Sequence, residues 1–98
     1  MEKNQKESTV RFFDLQGRLK AVEVRRSTTR PMIAAAHAAL LALGIVVTSY
    51  RANPTPHGIQ ERFELAQADG GDLDEQRSQS VRSILLPLAL EGASEPSN

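Results

Sequence analysis

The sequence predicts an α+β fold: six elements in the order ββαββα, with two helices covering one face of a four-stranded antiparallel sheet. Three features carry this expectation. Residues 59–66, IQERFELA, alternate side by side: Ile59, Glu61, Phe63 and Leu65 against Gln60, Arg62, Glu64 and Ala66. Met32, Ile33, Ala36, Ala39, Leu40 and Leu43 recur at the spacing of one helix face. Turn-forming segments at 15–18, 53–58 and 68–72 divide the apolar runs.

Each element follows from its residues. Residues 9–14 (TVRFFD) are rich in strand formers, and Gly17 supplies a turn before residues 19–26 (LKAVEVRR). In that second run Val22 and Val24 share one side, Glu23 and Arg25 the other, so the two runs form a hairpin. Ser27, Thr28 and Thr29 are candidate N-caps for the first helix, and Pro31 suits its first turn because a proline there lacks only an unused N–H. Gly44 is placed to end that helix. Residues 45–52 (IVVTSYRA) are β-branched and aromatic, and NPTPHG, 53–58, reads as a loop. After residues 59–66, Asp72 or Asp74 caps a second helix whose core side holds Leu73, Gln76, Arg77, Val81, Ile84, Leu85 and Leu88. Pro87 is expected to end or kink it. Residues 1–8 and 91–98 are small, polar or charged and are expected to be disordered, leaving residues 9–90 as one domain.

The helix between residues 19–26 and 45–52 makes a split crossover that leaves room for one strand between them. Phe63's strand fills that gap, and residues 9–14 lie beside Val22 at an edge. This is a ferredoxin-like sheet whose usual last strand comes from the N-terminus.

The chain resembles an ACT domain, most closely the C-terminal ACT repeat of bacterial PII-uridylyltransferases. AVEVRRSTTRPMI is similar to that family's strand and loop before the helix, ALLALGIVV to its helix end and following strand, and IQERFELAQADGGDL to its third strand and turn. VRFFD also has a counterpart there, and the likeness spans about residues 9–88. The resemblance implies a ferredoxin-like, ACT-type sandwich that regulates by binding an amino-acid-like ligand at a subunit interface, in nitrogen metabolism. Placed without a gap, Thr28 stands at the family's acidic position and Pro31 at its pocket glycine. The family's nucleotidyltransferase and hydrolase segments have no counterpart in these residues, so no enzymatic activity carries over.

The residues at the helix start offer the same site independently. Arg25, Arg26 and Arg30 surround it, Ser27, Thr28 and Thr29 add hydroxyls, and the positive end of a helix favours an anion. Arg26, Ser27, Thr28, Thr29, Arg30 and Pro31 are therefore the candidate ligand-binding residues. The alternative is a capped helix with solvated arginines, in a dimerisation or protein-interaction module that has lost the pocket.

Other chemistries find little purchase. The chain has 12 Lys+Arg and 12 Asp+Glu, a net charge of zero that exerts no general pull on nucleic acid or anionic membrane. It has no cysteine, and neither His37 nor His57 has a ligand at metal spacing. Asp69, Gly70, Gly71 and Asp72 read as a turn and helix cap rather than a calcium loop. An RNA-binding sheet is disfavoured because IQERFELA carries two glutamates. No apolar run reaches membrane length and the N-terminus lacks a signal-peptide core, so a cytoplasmic location is expected, with no cofactor and no metal. Phe13 and Tyr50 are expected on surfaces the helices leave bare, and residues 45–52 at an open edge, which favours a homodimer.

Overall fold

The computed structural model describes residues 8–93. Its elements are β1 (Thr9–Leu15), β2 (Arg18–Arg26), α1 (Ile33–Leu41), β3 (Ile45–Thr55), β4 (Gly58–Gln67) and α2 (Glu75–Ala93). The four strands form one antiparallel sheet in the order β1-β2-β4-β3. The leading strand thus pairs with β2, and Phe63's strand lies between β2 and β3, as the crossover required. Residues 1–7 and 94–98, most of the two segments expected to be disordered, lie outside the described residues.

Both helices share one core with one side of the sheet. Ala36 and Leu40 of α1 and Val81, Leu85 and Ala89 of α2 join Val22, Val24, Phe63 and Leu65 in a single buried cluster. α1 packs mainly on β3 and α2 mainly on β2, and the helices touch each other. Phe63, Val22 and Val24 are completely buried, so the sheet's central strands carry most of the apolar area removed from water.

The turn joining β1 and β2 uses two left-handed residues, Gln16 (φ 55°) and Gly17 (φ 81°). Positive φ at both central positions matches the right-handed twist of the strands, which makes this two-residue hairpin tight. Asp74 caps α2, its Oδ1 accepting the Arg77 N–H at 2.7 Å.

Three boundaries differ most from the sequence expectation, each for a physical reason. β3 continues through Asn53, Pro54 and Thr55, and only Pro56 and His57 separate it from β4. Pro54 is tolerated because β3 is an edge strand, where a missing N–H need cost no ladder bond. Pro87 lies inside α2 rather than ending it. It and Ser83, the residue one turn earlier whose carbonyl it cannot satisfy, both face solvent, where water can replace the lost bond. α2 therefore extends to Ala93, past the boundary expected at 90. Finally, α1 begins at Ile33 with Met32 as N-cap, so none of Ser27, Thr28 and Thr29 caps it.

The largest correction concerns side-chain direction. The β3–β4 pairing slips between Val47 and Ser49, leaving Thr48 as an extra residue whose hydroxyl donates to the Glu64 carbonyl at 3.2 Å. A one-residue bulge exchanges the two faces of everything beyond it. Tyr50 consequently turns toward the helices, where it packs against Phe63 at 5.2 Å between ring centres, instead of standing on a bare surface. Arg51 is sent to the opposite face. Phe13 does stand on the face away from the helices.

The start of β4 is seated against the loop after β2. A methyl group on Gly58 would lie 2.0 Å from the Arg26 carbonyl oxygen and 2.8 Å from the Thr28 nitrogen, both backbone. Gly58→Ala is therefore expected to lower the Tm by on the order of 10 °C in a calorimetric or circular-dichroism melt. An unchanged Tm would show that residues 26–28 are not held against β4.

Candidate functional site

The loop between β2 and α1 is the place where the sequence expects a bound anion. An anion is there, and the chain supplies it. Glu61, in phase with Ile59, Phe63 and Leu65 on β4, points into the core and is completely buried. Its Oε2 accepts the Met32 backbone N–H at 2.9 Å, at the N-cap of α1. The carboxylate thus meets the positive end of the helix and satisfies an amide that no local side chain caps.

Two further groups converge on the same carboxylate. Tyr50 donates its hydroxyl to Oε2 at 2.7 Å, and Arg26, only 4% exposed, donates Nη2 to Oε1 at 3.3 Å. Arg26 Nη2 also reaches the Arg30 carbonyl at 2.5 Å, closing the loop on itself. Thr28 tightens it further by accepting the Arg30 N–H at 3.2 Å. The cluster joins β2, β3, β4 and α1 through charge-assisted hydrogen bonds in a low-dielectric setting. Arg26 Nε is buried and has no hydrogen-bond partner among the described residues.

The six candidate ligand residues are therefore not one exposed constellation. Arg26 points inward, Ser27 and Thr28 are half-buried, and Thr29, Arg30 and Pro31 face solvent. Of the six, Thr29 lines a shallow depression of about 190 Å³ shared with Ala52, Asn53, Pro54, Gly58 and Ile59. Sequence reasoning missed Glu61 and Tyr50. The available signal was an acidic residue standing in phase with the apolar side of an alternating strand. Tyr50 gave no such signal, because its direction depends on the bulge at Thr48.

The remaining candidates take the positions of surface and turn residues. His37 and His57 are both exposed. Among the described residues no group of three His, Cys, Asp or Glu side chains could hold a metal ion. Asp69 accepts the Gly71 N–H at 2.8 Å, and that bond holds its carboxyl below the usual range; Lys20 does the same for Asp72 from 2.7 Å. No described helix is long and apolar enough to cross a membrane.

Burial, then the hydrogen bond to Glu61 and its negative charge, push the Tyr50 phenol up to about 12, against a smaller opposing effect of Arg26. A raised folded-state value means that the contribution to stability is complete below about pH 10 and is lost as pH rises toward 12. Tyr50 is the only tyrosine and there is no tryptophan, so ultraviolet titration reports it cleanly. The folded protein is expected to ionise near pH 12, the urea-unfolded chain near pH 10; coincident midpoints would rule out the buried bond. Removing one partner of the ion pair strands the other, so Glu61→Gln is expected to cost about 3 kcal/mol in urea unfolding. Tyr50→Phe removes one hydrogen bond and is expected to cost about 1 kcal/mol.

No protein-family model, curated protein or solved structure matches the chain.

Proposed function

We propose that this chain is a small, non-catalytic, ACT-like module that works by self-association and has no ligand site at its helix start. One observation carries the reading: the Glu61 carboxylate occupies the α1 N-terminus, where an amino-acid-like or anionic ligand would sit. A ligand carboxylate there would have to displace a buried internal one that already holds Arg26 and Tyr50. The strand order β1-β2-β4-β3, with the leading strand in the place of a ferredoxin-like sheet's last one, supports the ACT likeness.

The surface for self-association is the β3 side of the molecule. β3 leaves one edge unpaired and carries a single charged residue, Arg51, whereas the β1 edge has Arg11 and Asp14 and contacts α2. An edge so little protected by charge favours pairing. α1 packs beside β3 and contains no charged residue, yet Ala34, Ala35, Ala38 and Leu41 face solvent. Apart from His37 the solvent side of α1 is apolar, and a helix with so much apolar surface is normally covered. A second copy paired along β3 would bring its own α1 against this face.

Sedimentation or light scattering is expected to give twice the chain mass of 10.7 kDa. Ala38→Arg together with Leu41→Arg is expected to return the mass to one chain while keeping a cooperative melt. A monomer at all concentrations would overturn the reading. A thermal-shift panel of amino acids, nucleotides and small anions is expected to be flat. A rise of about 10 °C at saturating ligand, abolished by Thr28→Ala with Arg30→Ala, would instead establish regulation by a small ligand at residues 26–31.

A further inference from the structure

The face of the sheet turned away from the helices has its own composition. Cross-strand register places Arg11, Glu23, Arg62 and Arg51 in one row, and Thr9, Arg25, Gln60 and Asn53 in the next. Phe13, Ala21, Glu64 and Ser49 complete a third. These rows hold four arginines against Glu23 and Glu64, a local excess of two positive charges on a chain whose net charge is zero. Of the two glutamates of IQERFELA only Glu64 counts against this face, because Glu61 is buried on the other side.

We propose that this face binds single-stranded nucleic acid. Like charges directly opposite one another in a sheet are destabilising, yet Arg51 stands opposite Arg62. Arg62 is drawn to Glu23 at 3.1 Å and Glu64 at 3.7 Å, while Arg51 has no carboxylate partner among the described residues. A phosphate would relieve that opposition. The Arg11 and Arg62 guanidinium groups lie 5.2 and 5.0 Å from the centre of the Phe13 ring, which holds them near an aromatic surface. Guanidinium planes and aromatic rings are the surfaces on which unpaired bases stack.

The second row decides between polyanions. Thr9, Gln60 and Asn53 offer hydrogen-bond acceptors as well as donors beside Arg25, which donates to Gln60 Oε1 at 2.9 Å. Nucleobase edges use both kinds of group, whereas the carboxylates of an acidic peptide only accept. A groove of about 330 Å³ lined by Thr9, Arg11, Glu23, Arg25 and Gln60 runs along these residues. The rows are strand residues of an open sheet, the kind of platform that receives splayed bases rather than a duplex.

Fluorescence anisotropy of labelled 12-nucleotide single strands, RNA and DNA, titrated with the full chain tests this. Binding is expected with a log–log salt slope of about −2, the release expected for about three phosphate contacts on a single strand. Arg25→Ala with Arg51→Ala is expected to weaken binding at least ~5-fold, with the Tm not lowered and the sedimentation mass unchanged. A melt and mass run on the same variant separate loss of binding from loss of fold or of self-association. No binding by the unsubstituted chain, undiminished binding by the variant, or equal binding of a duplex or of polyglutamate would each overturn the proposal.

Discussion

Everything around the start of α1 depends on one buried carboxylate. Glu61 is a charge taken fully out of water, which is unfavourable unless every lone pair finds a partner. Here a guanidinium, a phenol and a backbone amide meet it from β2, β3 and the helix N-cap. Apolar contacts along β4 fix how deep the sheet sits under the helices. The carboxylate ties down the start of the helix, because the N-cap residue Met32 donates its N–H to Oε2 at 2.9 Å. A hydrophobic residue at position 61 would give burial without that registration.

The same group occupies the helix start where the sequence leads one to expect an external anion. A helix N-terminus flanked by arginines and hydroxyls is suited to an external anion. When the core supplies the anion, the arginine beside it becomes internal and the hydroxyls settle into loop hydrogen bonds. Arg26 and Thr28 do this, leaving Thr29, Arg30 and Pro31 on the outside. The surfaces proposed for partners lie elsewhere, along β3 and α1 and on the open face of the sheet.

Those two surfaces differ in chemistry because the bulge at Thr48 divides β3 in two. Before it, Ile45 and Val47 belong to the core side; beyond it, Tyr50 does, and Arg51 joins the arginines of the other face. A strand alternating strictly from Ile45 would have placed Arg51 under the helices and Tyr50 in solvent. One extra residue thus completes both the Glu61 cluster and the arginine rows. Net charge, being a sum over the chain, is blind to such a sorting of charges between faces.

The residues by themselves determined the element types and order, the hairpin at Gly17, the apolar side of α1, the core positions Val81 and Leu85 of α2 (though not that Ser78 and Ala89 are buried there and Gln76 exposed), and the position of Phe63's strand between its neighbours. These depend on local periodicity and on the few crossings an antiparallel sheet permits, so they can be read from spacing alone. Tertiary structure alone decided that Pro54 stays in a strand, that Pro87 stays in a helix, and that Tyr50 faces inward. It also decided that the helix at residue 33 is capped from 29 residues away rather than by Ser27, Thr28 or Thr29. Each of these turns on what lies across a gap in space: an edge without a neighbour, a carbonyl that water can reach, a bulge that exchanges two faces, a carboxylate arriving from another strand. Sequence spacing has no access to partners of that kind, because what satisfies a polar group is the atom beside it in the fold, not the residue beside it in the chain.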